Sequence, residues 1–188
     1  MLSLELSLAR AGHSVVMLSR TPGKPGVKDA AGQGAIGRED IDDADVVILA
    51  LPFPEIVRFA SRNKVVLAGK TIIDPSGPFD YLSDGQRGSS ELVADALGGS
   101  AGLVAAFKDA TPEELLPGIH AGTLVRDIRL AADDPVAMAV VASLVRDIGC
   151  NPVDCGPLRN SRLLDAAASL VQEIARRARH SRTNPVMR

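Results

Sequence analysis

The stretch that decides the fold is Ala44-Asp45-Val46-Val47-Ile48-Leu49-Ala50-Leu51-Pro52, an apolar run that ends at a proline. Its residues 46–51 lack the polar alternation of a strand with one wet face, so they predict a parallel strand covered by helices on both sides. Two further apolar segments, 71–73 and 102–107, have the same character, and helix-like segments lie between them at 54–62 and 89–97. This alternation predicts an α/β fold with a mainly parallel sheet.

On both sides of the 44–52 stretch, the sequence continues to alternate between predicted helices and predicted strands. Before it, the sequence predicts a helix over 2–11, closed by Gly12, and a strand over 13–18 that is rich in β-branched residues. After it, we expect strands at 124–131 and 151–155, a helix from Asp134 to Gly149, and a long helix from Asn160 to about Arg179. Serine caps begin the 89–97 helix, and residues 111–114 read as a capping box.

Composition excludes several classes of function. The 188 residues suit one compact unit, and the net charge of −2 leaves no electrostatic basis for nucleic-acid binding. Apolar runs are too short to cross a bilayer, and there is no basic leader of a signal peptide. The two cysteines, Cys150 and Cys155, are too few for a disulfide framework and predict packing residues in a reducing cytoplasm. No HxH or HExxH spacing of metal ligands occurs, so we expect no metal site. Because the apolar runs are short, we also expect no membrane partner.

Parallel strands place their ligands outside their carboxyl ends. Four segments would meet there, at Ser19-Arg20, Ala50-Leu51-Pro52, Asp74–Gly77 and Phe107-Lys108. The Asp74 side chain has two interpretations, as a general base or as the cap of a turn. No Ser-His-Asp set can be assembled, and we expect no catalytic side chain.

A phosphate site is the best interpretation of Ser19-Arg20-Thr21 with Lys24 behind it. In dinucleotide folds an arginine after the second strand accommodates the 2′-phosphate of NADP, and a guanidinium fork suits that group well. The alternative is a solvated loop with a few basic residues. The segment Gly32–Gly37 also fits the letters G-x-G-x-x-G, but no strand precedes it and acidic residues follow, so we interpret it as an ordinary loop.

These residues together resemble a known family. Similarity to the NADP-dependent coenzyme F420 reductases lies in Ala11-Gly12-His13-Ser14-Val15-Val16, Ser19-Arg20, the 44–52 stretch and Gly69–Asp74. These reductases belong to a wider group of NADP-linked oxidoreductases that includes the reductase domain of the membrane ferric reductases. The most specific likeness is the stretch Pro152–Leu164, whose Gly156-Pro157-Leu158-Arg159-Asn160-Ser161-Arg162 is similar to a Gly-Pro-Leu-x-Asn-Ala-Arg turn of the family.

The resemblance implies a cofactor, NADP, and a hydride acceptor, F420 or a flavin-like ring. By resemblance, Ser19, Arg20, Thr21 and Lys24 would hold the 2′-phosphate. The nicotinamide would lie near Ala50, Leu51, Pro52, Asp74, Pro75 and Ser76, and the acceptor near Phe107, Gly156, Pro157, Leu158 and Arg159. Hydride would pass directly between two rings that the protein positions and shields from water.

Two departures from the family stand out. The chain begins inside the family's first helix, so we expect a doubly wound, Rossmann-like sheet that lacks its first strand and glycine loop. On this interpretation residues 1–155 form the NADP-binding domain, and residues 156–188 form a C-terminal helical extension of the same unit. Lys108 stands where the family has asparagine, which leaves the identity of the acceptor open.

Two other functions remain as alternatives. A truncated paralogue could be a catalytically inactive binding or structural protein. A β-hydroxyacid-type dehydrogenase would need a catalytic lysine on a long helix, and the 160–180 helix has none. The apolar surface of that helix also predicts a homodimer.

Overall fold

The computed structural model describes residues 2–16, 41–53, 55–77, 87–111, 115 and 125–183. Helices and strands alternate along most of this range, as the sequence predicts. The helices are α1 (Leu2–Arg10), α2 (Glu55–Asn63), α3 (Ser89–Leu97), α4 (Pro135–Asp147) and α5 (Ser161–Thr183), and the strands are β1 (Val46–Ile48), β2 (Thr71–Asp74), β3 (Gly102–Ala105), β4 (Asp127–Ala132) and β5 (Asn151–Asp154). A short 3-10 turn, Leu158–Asn160, leads into α5.

The five strands form one sheet in the order β1-β2-β3-β4-β5. The pairs β1–β2, β2–β3 and β4–β5 are parallel, whereas β4 runs antiparallel to β3, with Val104 opposite Ala132. The sheet is therefore mainly parallel, and its polarity reverses between β3 and β4. The predicted α/β, Rossmann-like architecture with a C-terminal helix is confirmed.

Both faces of the sheet are covered. Alternate strand residues face opposite ways, so Ile73 and Val104 pack with α1 and α4, while Ile72 and Leu103 pack with α2, α3 and α5. All four side chains are at least 95% buried. This three-layer arrangement explains why the strands read as unbroken apolar runs.

The secondary-structure prediction is wrong at residues 13–16 and at the start of α3. Residues 13–16 form no strand; Val15 packs beside α1 and α4, and Val16 is exposed. β-Branched residues suit a pleated surface, but a strand also needs a neighbouring strand to pair with. The serines at the start of α3 are not its caps, because Gly88 occupies the cap position and Ser89 and Ser90 bond elsewhere.

Gly88 is required by packing. A β-carbon on this residue would stand 2.5 Å from Ser161 Oγ and 2.7 Å from the backbone nitrogen of Arg162. The start of α3 therefore touches the start of α5 with room only for a glycine. In the described part of the chain, no helix is long and apolar enough to cross a membrane.

Candidate functional site

The carboxyl ends of β1, β2 and β3 meet at one edge of the sheet, as the parallel pairing requires. Leu49 N donates to Ile73 O at 2.9 Å, and Ala106 N donates to Asp74 O at 3.2 Å. The structure thus brings together three of the sequence-predicted groups, namely Ala50–Pro52, Asp74–Ser76 and Phe107. Ala50 and Pro52 are exposed at this edge, and Leu51 is half-buried.

Asp74 is fully buried at the centre of this edge. Its Oδ1 accepts from the backbone nitrogen of Ser76 at 2.9 Å, which closes the turn after β2, and its Oδ2 accepts from Ser90 Oγ at 2.6 Å. Of the two interpretations of this residue, the turn cap describes its contacts. The same carboxylate also holds the start of α3.

Lys108 lies beside Asp74, and its side chain is 1% exposed. Its Nζ lies 3.4 Å from Asp74 Oδ2 and 2.9 Å from Asp165 Oδ1, and it donates to Ser89 Oγ at 2.8 Å. It also donates to the backbone carbonyl of Ser76. The ammonium group is thus surrounded by acceptors inside the protein.

Phe107 directs this lysine inward. It has φ of +61°, the left-handed region that a residue with a β-carbon rarely adopts, and its side chain is buried. The strand therefore ends at Ala105 rather than at Phe107 as the sequence predicts, because the chain turns sharply there. The turn carries Lys108 back beneath the end of β2.

Asp165 is a polar site residue that the sequence analysis missed. Its Oδ2 accepts from Ser89 N at 2.8 Å, and the side chain is 4% exposed although it lies on a long helix. A signal was present, since Asp165 stands among the residues that form the buried stripe of α5, namely Ser161, Leu164 and Ala168. A carboxylate on the apolar face of a helix indicates a buried partner.

One hydroxyl at this edge has no partner among the described residues. Ser76 Oγ is buried and makes no hydrogen bond, although its backbone nitrogen and carbonyl are both bonded. An unsatisfied buried hydroxyl is costly, by about 1–3 kcal/mol, unless a bound molecule completes it. A polar ligand group at the turn after β2 would supply the hydrogen-bond partner that Ser76 Oγ lacks.

A groove of about 320 Å³ begins at the end of β1 and follows the exposed side of α2. It combines apolar walls with two guanidinium groups one helical turn apart, and it is lined by Leu51, Glu55, Arg58, Phe59, Arg62 and Asn63. An apolar floor with nearby cations suits a flat ring that carries anionic substituents.

The Gly156–Arg159 turn lies two strands away from β3. Gly156 O accepts from Ala132 N, and Ala132 pairs with Val104, so the turn is level with the last residues of β3. Gly156 has φ of +83°, and Leu158 N donates to Asp133 Oδ1 at 2.9 Å. Leu158 is buried under α3, whereas Arg159 is exposed.

Cys155 precedes this turn and is half-buried. Burial raises the pKa of its thiol, which is also bonded weakly to Val153 O at 3.7 Å. A thiol of this kind stays protonated near neutral pH. In the described residues no group of His, Cys, Asp and Glu side chains could hold a metal ion.

The predicted phosphate site lies outside the described residues. This holds for Ser19, Arg20, Thr21 and Lys24 and for the 32–37 glycine segment. The same is true of most of the 111–114 capping box.

Comparison with known proteins shows which family this chain is similar to. A family model described as NADP oxidoreductase, coenzyme F420-dependent, matches residues 2–78. An F420-dependent NADP reductase from Methanothermobacter marburgensis is 27% identical over 195 residues, which is 90% of this chain and 85% of that protein. The chain is similar to the F420-dependent NADP reductases. The resemblance seen in the sequence is confirmed.

Three further proteins are similar to this chain in sequence or in fold. The metalloreductase STEAP3 of Rattus norvegicus is 27% identical over 165 residues, which cover 87% of this chain and 33% of that protein. The hypothetical protein SMa0349 from Sinorhizobium meliloti has a solved structure with a TM-score of 0.67 and 28% identity, covering 85% of this chain and 82% of that one. A protein from Arthrobacter sp. matches with a TM-score of 0.75 at 18% identity, a likeness of fold over 97% of this chain and 90% of that one.

Proposed function

We propose that the chain binds NADP(H) along the carboxyl ends of β1–β3 and transfers hydride between it and F420 or a flavin-like ring. The observation that carries this is the convergence of residues 50–52, 74–76 and 107 at one edge, in a relative of F420-dependent NADP reductases. A nucleotide is the ligand that this edge accepts in open α/β sheets.

The cofactor would be held at two ends. Ser19, Arg20, Thr21 and Lys24 supply a guanidinium, an ammonium and hydroxyls for the 2′-phosphate, and these donors favour NADP over NAD. At the other end, Ala50, Leu51 and Pro52 present backbone and apolar surface to the nicotinamide. Asp74, Pro75 and Ser76 form the adjoining wall, where the orphaned Ser76 hydroxyl supplies a donor for a carboxamide.

The acceptor would stack on the same ring from the side of Phe107. We assign Gly156, Pro157, Leu158 and Arg159 to the outer wall of the acceptor site, as the family resemblance implies. The Arg159 guanidinium is exposed there and suits an anionic group on the acceptor. Lys108 does not serve as an acceptor contact in this proposal, since its ammonium is enclosed by Asp74, Asp165 and Ser89.

The bound cofactor supplies a hydride at the nicotinamide ring. The side chains of this protein position two rings and exclude water from between them, and no acid or base among them takes part. Asp74 is fully engaged with Ser76, Ser90 and Lys108, which is consistent with a structural carboxylate rather than a general base. We therefore expect no sharp pH optimum from a single residue.

The proposal is tested by titrating the protein with NADPH and NADH while following nucleotide fluorescence. NADPH should bind roughly tenfold or more tightly than NADH, because one charged donor group typically distinguishes the 2′-phosphate. Arg20→Ala should reduce the difference without unfolding the protein, and Arg10→Ala on α1 is the control. Equal binding of the two nucleotides would reject the assignment of Arg20. Hydride transfer to F420 or a flavin then separates an enzyme from a binding protein that has lost activity.

We also propose that the protein works as a homodimer in the cytoplasm. Four residues of α5 are exposed at intervals of four, three and four, namely Leu163, Ala167, Leu170 and Ile174. This spacing is typical of the contact surface between two packed helices, and we call these four residues the α5 seam. In a dimer with a two-fold axis, the α5 seam of a second copy would supply the matching surface.

A further inference from the structure

A buried polar cluster joins four elements at the candidate site. It consists of Asp74 at the end of β2, Lys108 after β3, Ser89 and Ser90 at the start of α3, and Asp165 on α5. The sequence predicts neither the partnership of Lys108 nor a role for Asp165. The cluster shares Asp74 with the wall proposed for the cofactor, and its other members, Lys108, Ser89, Ser90 and Asp165, extend from that residue into the interior.

Every carboxylate oxygen in the cluster has a donor. Asp74 accepts from Ser76 N, Ser90 Oγ and Lys108, and Asp165 accepts from Ser89 N, Ser89 Oγ and Lys108. Buried ionic groups add little net stability, but they fix one arrangement, since any shift leaves a charge unpaired in the interior.

Lys108 is the only cation of this cluster. It faces both carboxylates, and it also donates to the carbonyl of Ser76 in the turn after β2. Its position depends on the left-handed backbone of Phe107, an unfavourable conformation that the surrounding contacts maintain. One ammonium thus connects the turn at 74–76 with a helix that follows more than fifty residues later.

We propose that Lys108 and Asp165 are positioning residues that clamp α5 and the start of α3 to the turn after β2, and so set the spacing of the two rings. This rests on the proposed hydride transfer. Lys108 holds the turn from the end of β3, and Asp165 makes α5 a part of that support. The ammonium acts through Ser76 and Asp74, without contacting either ring.

The test compares Lys108→Met with Lys70→Met. Lys70 is the matched control because its Nζ also makes two 2.8 Å hydrogen bonds, to the carbonyls of Asp42 and Ala44, at the opposite edge of the sheet. Lys108→Met should lower kcat by roughly tenfold or more while changing the Kd for NADPH much less, because misplaced rings slow transfer without releasing the adenosine end.

Hydrogen–deuterium exchange measures the clamp without any cofactor. Lys108→Met should accelerate exchange at residues 89–93 and 161–168 but not in α4, and Lys70→Met should leave those segments unchanged. If Lys108→Met does not fold, Asp165→Asn takes its place, since it keeps the Lys108–Asp74 pair and should shift both measurements in the same direction.

The positioning role, the clamp and the proposed function are each contradicted by a different result. A folded Lys108→Met variant with kcat within about twofold of the wild type would overturn the positioning role. Unchanged exchange in α3 and α5 would overturn the clamp itself. A wild-type protein that neither binds NADPH nor transfers hydride would reject the proposed function, and the exchange data would still decide whether the clamp exists.

Discussion

Gly88 and Ser161 are in contact so close that a β-carbon on the glycine would stand 2.5 Å from the serine hydroxyl oxygen. The contact joins the start of α3 to the start of α5, on the same side of the sheet as Asp165. This contact and the ionic cluster therefore join the same two helices, α3 and α5, the contact by packing and the cluster by charge.

We expect Gly88→Ala to lower the free energy of unfolding by about 1–3 kcal/mol, because the two helix ends must separate to admit a methyl group. Urea unfolding measures the change. The double variant Gly88→Ala/Ser161→Gly should recover only part of the loss, since the backbone nitrogen of Arg162 still lies 2.7 Å from the new atom. An unchanged midpoint for Gly88→Ala would contradict the observed packing.

Phe107 allows a test of backbone strain. Its left-handed φ disfavours any residue with a β-carbon, so Phe107→Gly should be more stable than Phe107→Ala by about 1 kcal/mol. Both variants lose the buried ring, and thermal unfolding compares them. The control is the same pair at Leu103, a buried residue within β3, where glycine should be the worse replacement. Alanine equal to or better than glycine at 107 would count against the strain.

The α5 seam predicts the oligomeric state. Light scattering should give the mass of a dimer for the wild type and of a monomer for Leu170→Glu, because the introduced carboxylates would face an apolar partner surface. Val65→Glu is the matched control, since Val65 is 84% exposed and far from α5 in sequence. A wild-type protein of monomeric mass would reject the dimer.

Cys155 should react slowly with iodoacetamide at pH 7. Burial raises the pKa of this thiol, so the reactive thiolate forms only at higher pH than in a free cysteine, whose pKa is about 8.5. The alkylation rate should therefore rise with pH and reach its midpoint above that value. Cys155→Ser leaves only the buried Cys150 and should remove most of the labelling. Rapid labelling at neutral pH would contradict the buried thiol.

Local patterns predicted much of this fold. Unbroken apolar runs placed β1, β2 and β3, and Asp134 followed by proline marked the start of α4, where its side chain accepts from Val136 N and Ala137 N. Helix periodicity placed the buried face of α5. These features depend on residues close together in sequence, which is why a single chain reveals them.

Features that depend on distant residues were not predictable in this way. The direction of β4 relative to β3 is reversed because of how the two strands pair, and the hydrophobic periodicity of either strand does not depend on that pairing. Lys108 looked like a cation facing the acceptor because its two aspartates lie far away along the chain. The left-handed turn at Phe107 carries no glycine or asparagine that would have signalled it.

The distance between Ser89 and Asp165, 76 positions along the chain, has a consequence for biosynthesis. During translation Lys108 leaves the ribosome long before Asp165 does, so the nascent sheet holds its buried ammonium against Asp74 alone. When α5 emerges, Asp165 adds a second carboxylate beside the ammonium and accepts from Ser89 N. The contacts between Asp165 and the start of α3 therefore form late in folding. They have a large entropic cost of loop closure, and they can form only after α5 has been synthesised.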